Sequence, residues 1–407
     1  MLTAWALVSL MALAGCAAPR TTGNATPTSV YGACDPTKQW QPPAGNVELD
    51  DMAMVAPGEG WAVGVLTGQG IGAAPTGVIY HLSQGKWTRL PQTYPGAELA
   101  DIAMDSPTDG WAATSTGMMG TGDRALVLHY TGGQWRQVDV PALDQAFKGP
   151  PGTAGYDIQW LNLQLFGPDA GWMFALTNTL RNPNDPSSRE VVIILRLEHG
   201  VWTPIPTPLV KDSTEMFWLS AVSGNEAWLD MTDYASPSLT TSFAHYVDGA
   251  WSIWPQTFQV ETERFTMLSP TDGWAIDSSN STGDAGLLRF DGAQWTSAAT
   301  PGAWASHRLY LNRVIYSTSD GATWFSGTRG TSRDAIVEQY ADGRWSQVAW
   351  PYPDAQPNIL AADGSGDLWG VGDILHQRGC APAHVTAVAQ GVFFHQTGGR
   401  WSRQVLP

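Results

Sequence analysis

Leu99-Ala100-Asp101-Ile102-Ala103-Met104 and Pro107-Thr108-Asp109-Gly110-Trp111-Ala112-Ala113-Thr114 open the segment that decides the fold. Ala125-Leu126-Val127-Leu128-His129-Tyr130 and Thr131-Gly132-Gly133-Gln134-Trp135-Arg136-Gln137-Val138 complete it. Apolar and small or polar residues alternate through these runs, the period of a half-buried strand. Asp-Gly and Gly-Gly lie between runs, where hairpin turns need positive φ. The segment reads as four short antiparallel strands: one hairpin, a Gly-rich loop, then a second hairpin.

The same unit recurs outward in both directions. Its first marker, a turn followed by Trp, appears at Trp61, Trp111, Trp172, Trp228, Trp274, Trp324 and Trp369. Its second, an apolar strand, a tight turn and Trp, appears at Trp87, Trp135, Trp202, Trp251, Trp295, Trp345 and Trp401. The two markers alternate strictly, and successive first tryptophans lie 50, 61, 56, 46, 50 and 45 residues apart. Four-stranded units at this period are blades of a β-propeller, and stacking against neighbours buries what one meander leaves exposed. We expect an all-β, seven-bladed propeller of four-stranded antiparallel blades. Its blades are read at about 47–91, 97–141, 156–208, 215–255, 262–301, 308–351 and 357–407. The whole of 34–407 is read as one propeller domain.

Composition agrees. Charged residues are only 14% of the 407, against 44 Gly, 28 Pro and 21 Trp. A formal charge of −16 argues against nucleic acid as a partner, because phosphate backbones are bound by clustered Lys and Arg.

The N-terminus reads as an address. Leu2 to Leu13 is apolar but too short for a hydrocarbon core of about 30 Å, so residues 1–15 read as a signal peptide. Leu13-Ala14-Gly15-Cys16 resembles a bacterial lipobox, in which the Cys is acylated and becomes the mature N-terminus. The resemblance implies lipidation at Cys16, a flexible linker over 16–33, and an extracytoplasmic, lipid-anchored protein of the bacterial cell envelope. Lipidating Cys16 leaves Cys34 and Cys380, an even pair in an oxidising compartment. Ring closure would bring the ends of the array together, so a Cys34–Cys380 disulfide is expected. Asp35 to Pro42 looks like an isolated eighth copy of the last strand, adding to the final blade or swapping into it.

The repeat itself resembles bacterial extracytoplasmic propellers of the BNR/Asp-box and kelch-like kind, including photosystem II assembly-factor-like and sialidase-like proteins. The resemblance rests on the Gly-Trp strands and Gly-x-Trp hairpins across 47–407, and it implies the fold.

Six residues before each second-marker Trp lies a polar slot: His81, His129, Arg196, His245, Arg289, Gln339 and His395. A position recurring once per blade is structural, and a hydrogen bond to an adjacent blade or to solvent is expected of it. These slots lie too far apart to hold a metal, and no cofactor is expected. The turn residues Asp109, Asp248, Asp272, Asp291 and Asp342 are read as acceptors for backbone N–H groups. Trp160, Trp218, Trp254, Trp304 and Trp350 stand outside the repeat and are candidates for stacking on sugars or anchoring a protein. No F/Y-R-x-P, G-x-S-x-G, H-E-x-x-H, P-loop or dinucleotide fingerprint occurs, so no catalytic residue is assigned.

Insertions at 66–76, 142–156, 178–190, 230–242 and 373–391 are where function is expected, because loops vary on a rigid scaffold. Four of them join second to third strands and are expected on one face, with 142–156 on the opposite face. The function expected is a non-enzymatic binding or assembly scaffold for a protein or carbohydrate. The alternative is a sialidase-like glycan hydrolase, for which Arg264, Arg308, Arg313, Arg329 and Arg333 are available.

Overall fold

Seven antiparallel sheets follow one another along the chain in the computed structural model, forming a seven-bladed β-propeller. The structure describes residues 46–66, 75–114, 125–147, 156–179, 191–208, 214–216, 218–233, 239–260, 262–277, 286–299, 309–317, 322–329, 334–378 and 386–406. Contacts divide the chain into Met1–Cys34 and Asp35–Pro407. Cys16, Cys34, Cys380 and the Asp35–Pro42 segment lie outside the described residues.

Blade 1 comprises Val47–Ala56, Glu59–Leu66, Thr76–Ser83 and Lys86–Pro95, hydrogen-bonded in that order. Blades 2 to 7 occupy 99–138, 156–205, 214–258, 262–298, 309–348 and 355–405. In blade 4 the innermost strand is split into Thr214–Glu215 and Leu219–Ser223, both paired with Glu226–Asp233. A short helix, Pro141–Phe147, follows blade 2.

The two tryptophan series explain how blades adhere. At several seams a first-marker Trp of one blade meets the second-marker Trp of the next: Trp61 with Trp135 at 5.7 Å, Trp111 with Trp202 at 5.5 Å, Trp274 with Trp345 at 5.9 Å. Trp369 of blade 7 and Trp87 of blade 1 make the same pair at 6.3 Å, which closes the ring. Burying about 200 Å² per indole at about 25 cal/mol per Å² contributes roughly 5 kcal/mol before ordering costs.

Polar staples join inner strands across the seams. Asp51 accepts from the Ile102 N–H at 3.0 Å, and Asp101 from the Leu163 N–H at 3.2 Å. Gln164 accepts from the Ala221 N–H at 2.7 Å, and the Ser220 hydroxyl from the Met267 N–H at 2.9 Å. Among the described residues, blade 7 is built from four consecutive strands.

Strand direction fixes what each end carries. First and third strands run to one end, where tight turns return the chain; Gly85, Gly133 and Gly200 take positive φ there. Second and fourth strands run to the other end. Loops joining second to third strands and connections between blades therefore share that end. This corrects the expectation for 142–156: an even number of antiparallel strands returns the chain to the side it started from. A backbone bond from Gly96 N–H to Pro75 O, 2.7 Å, shows a blade connection touching the base of a second-to-third-strand loop.

Candidate functional site

The turn end carries a repeated layer of charge over tryptophan. Register places each polar slot directly opposite the first-marker Trp: Trp61 with His81, Trp111 with His129, Trp228 with His245, Trp369 with His395. The imidazoles stack on those indoles at 4.1, 4.1, 4.1 and 3.7 Å. Each is held by a carboxylate two residues before the Trp: Glu59 at 2.5 Å, Asp109 at 3.1 Å, Glu226 at 2.9 Å, Asp367 at 2.9 Å. In blade 5 Arg289 lies 5.2 Å over Trp274, pairs with Asp272 at 3.3 Å and donates to the Tyr340 hydroxyl of blade 6 at 3.0 Å. Blade 3 has Ala170 where the acid belongs, and Arg196 turns to Asn225 of blade 4. Blade 6 lacks both charges, with Ala322 and Gln339 at the two positions.

The slot is thus structural, as the repeat implied. Its partner is a carboxylate of its own blade, with solvent and the neighbouring blade secondary. Asp109 and Asp272 consequently serve side chains, contrary to the turn expectation. Asp291 does accept from the Ala293 and Gln294 N–H groups, each at 2.9 Å, which holds its carboxyl below the usual range. Asp248 and Asp342 occupy positive-φ turn positions.

The loop end is irregular. The interruption of blade 4's inner strand is fixed by Asp230, which is fully buried. Asp230 accepts from the Trp218 N–H at 2.6 Å and the Thr262 hydroxyl at 3.3 Å, and its own N–H donates to Trp218 O. The Arg264 guanidinium of blade 5 lies 4.9 Å over the Trp218 ring, a cation–π geometry. Guanidinium and indole thus line the inner strands of blades 4 and 5. Arg313 occupies the same register in blade 6 as Arg264 in blade 5, each opposite the residue two beyond the first-marker Trp. Arg308 and Arg333 lie outside the described residues.

Carboxylates gather at the same end, between blades 7, 1 and 2. Burial pushes Glu48 above the usual range, and Glu98 too, with the Glu48 charge adding to the latter. Asp373 is pushed up to about 7 by burial and then by Glu48. Among the described residues no group of three His, Cys, Asp or Glu is arranged to hold a metal ion. None of their helices is long and apolar enough to cross a membrane.

Three of the five non-repeat tryptophans depart from expectation, Trp218 being half-buried against the core of blades 4 and 5. Trp254 packs on Trp228 at 4.9 Å and Phe290 at 5.4 Å. Trp350 donates to the Tyr352 and Ala355 carbonyls and packs on Phe394 and Trp401. Both belong to blade packing. Trp160 sits on the inner strand of blade 3, and Trp304 lies outside the described residues. Neither the split strand nor the buried carboxylates had been singled out from sequence. Asp51 and Asp101, at matching positions of two repeats, were the available signal.

No protein-family model and no curated protein matches the sequence. Solved structures do. YCF48 bound to D1 peptide is similar at 15% identity and a TM-score of 0.51, over 85% of this chain and 93% of that one. The β-propeller domain of the Trilobed protease from Pyrococcus furiosus, described as having an open velcro topology, matches at 7% identity and a TM-score of 0.54, over 88% and 97%. A Hadza microbial sialidase matches at 14% identity and a TM-score of 0.44, over 77% and 73%. The first two likenesses show a shared propeller fold.

Proposed function

We propose that this chain is a lipid-anchored, extracytoplasmic scaffold that binds a protein or glycan partner through the loop-bearing end of its propeller. The observation that carries this reading is the asymmetry between the two ends. The turn end repeats one charge-and-indole design with short turns. The other end carries the insertions of unequal length, a split inner strand and the Trp218–Arg264 pair. A rigid wheel with its variation on one end suits recognition at that end. A YCF48 propeller with a bound peptide supports protein as the partner class by analogy of fold. The Cys34–Cys380 bond belongs to the same proposal, fastening the tether to blade 7.

The Cys16→Ala chain, released from its anchor, tests this. Replacing 180–190 or 379–385 by short Gly-Ser loops should abolish capture of envelope proteins or of arrayed glycans, while Arg344→Ala at the turn end should leave it intact. Glycan turnover by the parent chain that is lost with Arg264→Ala would instead favour the hydrolase. Palmitate labelling absent from Cys16→Ala would establish the anchor.

A further inference from the structure

At the seam between blades 7 and 1 the acceptor for the neighbouring inner-strand N–H comes from a different strand than it does at the 1–2 and 2–3 seams. Blades 1 and 2 place Asp51 and Asp101 on their inner strands, each opposite the residue two beyond the first-marker Trp. Blade 7 has Ile359 at that register, opposite Val371. The acceptor is supplied from the second strand instead: Asp373, 4% exposed, receives the Leu49 N–H of blade 1. Asn358, the bulged residue between Pro357 and Ile359, donates its amide to Asp373 Oδ2 at 2.6 Å. Asp373 Oδ1 is buried with no hydrogen-bond partner. From blade 1 the facing titratable group is Glu48, which in turn faces Glu98; from Asn358 and from Gly391, opposite Asp373 on the third strand, there is no charge. A carboxylate so placed sits comfortably only with its proton.

The turn end of the seam has the opposite chemistry. Asp363 Oδ2 accepts from the Gly58 N–H of blade 1 at 3.1 Å and the Trp369 indole at 3.0 Å. Its Oδ1 accepts from the Ser365 N–H and hydroxyl at 2.9 and 2.6 Å. That knot requires the ionised form. Farther out, Gln404 donates to Trp87 O at 3.1 Å.

We propose that the junction of the first and last blades is a proton-operated latch. Protonated Asp373 holds the loop end of the seam shut, and loss of its proton parts the inner strands there while Asp363 and Gln404 keep the ring joined. The device concerns the frame beneath the loops and stands whatever ligand they bind.

The sign follows from linkage. Opening exposes Asp373 to water, where it ionises near 3.9, whereas closed it keeps its proton to about 7. Opening therefore becomes easier by up to about tenfold per pH unit from about pH 4 to 7 and levels off above.

Hydrogen exchange on the full chain, corrected for intrinsic rates, reads this directly. Protection of the segment around Leu49 should fall between pH 5 and 7 and then level off, while that around Ile102 in the next seam does not fall with it. Asp373→Asn should hold Leu49 protection flat across the range. Flat protection in the parent chain, or a parallel fall in Asp373→Asn, overturns the latch. If Asp373→Asn does not fold, Glu48→Gln decides: the fall should level off at a lower pH, and an unmoved levelling point overturns the proposal.

Discussion

At the scale of single residues, the stacked imidazole is the feature with the clearest cost. His129 gains an indole face and a carboxylate, yet imidazole and Asp109 each remain about one fifth exposed, so solvent screens the pair. A double-mutant cycle on Asp109→Asn and His129→Gln should return a coupling of about 0.5–1 kcal/mol, shrinking in 1 M salt. The indole beneath matters more. Trp111 is 1% exposed against blades 2 and 3, and Trp111→Ala should cost about 3–5 kcal/mol by chemical denaturation. Asp363 makes a pH-dependent case. Burial works to raise its carboxyl, but its hydrogen bonds together outweigh that and hold it below the usual value, so the stability it adds is present above about pH 4 and lost as pH falls through the lowered value. Asp363→Ala should therefore cost roughly 1.5–3 kcal/mol at pH 7, and its melting curve should converge on the parent's in strong acid.

At the scale of strands and turns, departures from regularity do the joining. Gln256 falls in an irregular stretch of blade 4's outer strand, where Phe243 is left facing a gap in the register. From there its amide takes the Trp295 N–H at 2.8 Å and gives to Trp295 O at 2.6 Å, clipping blade 4 to blade 5. Gln256→Ala breaks both bonds and should cost about 1–2 kcal/mol, with exchange quickening first at Trp295. Strand order and blade number were legible in sequence, because a two-residue period and paired tryptophans depend on local pattern alone. The polar slot could be located but its partner could not: His129 and Asp109 are 20 residues apart and meet only once register is set. Burial of Asp373 was equally hidden, since Gly372-Asp373 reads as a loop start, while the strand continues to Arg378. The loop-end position of 142–156 needed only the parity of strands.

At the scale of the whole molecule, seven similar sheets should make one seam much like another. Indole pairing crosses the 7–1 boundary as it crosses the 1–2, 2–3 and 5–6 boundaries, and among the described residues Asp363, Asp373 and Gln404 join the two blades. The wheel should then tolerate being opened elsewhere. Val47 begins the innermost strand of blade 1 and Leu406 follows the outermost of blade 7, both at the loop end, with the Leu406 N–H bonded to Gly391 O. Three strand spacings separate an inner from an outer strand, about 14 Å, which a linker of roughly six residues spans. A permutant joining 406 to 46 and starting within 209–213, between blades 3 and 4, should fold to the same far-ultraviolet spectrum and melt a few degrees lower. The 3–4 seam would then rest on the Gln164–Ala221 bond, the Trp172 indole's bond to Ser223 O at 2.8 Å and the Trp251 indole's to Pro206 O at 2.8 Å. A permutant that aggregates while its linear parent stays monomeric would mean that the chain connection between blades, more than their packing, holds the ring.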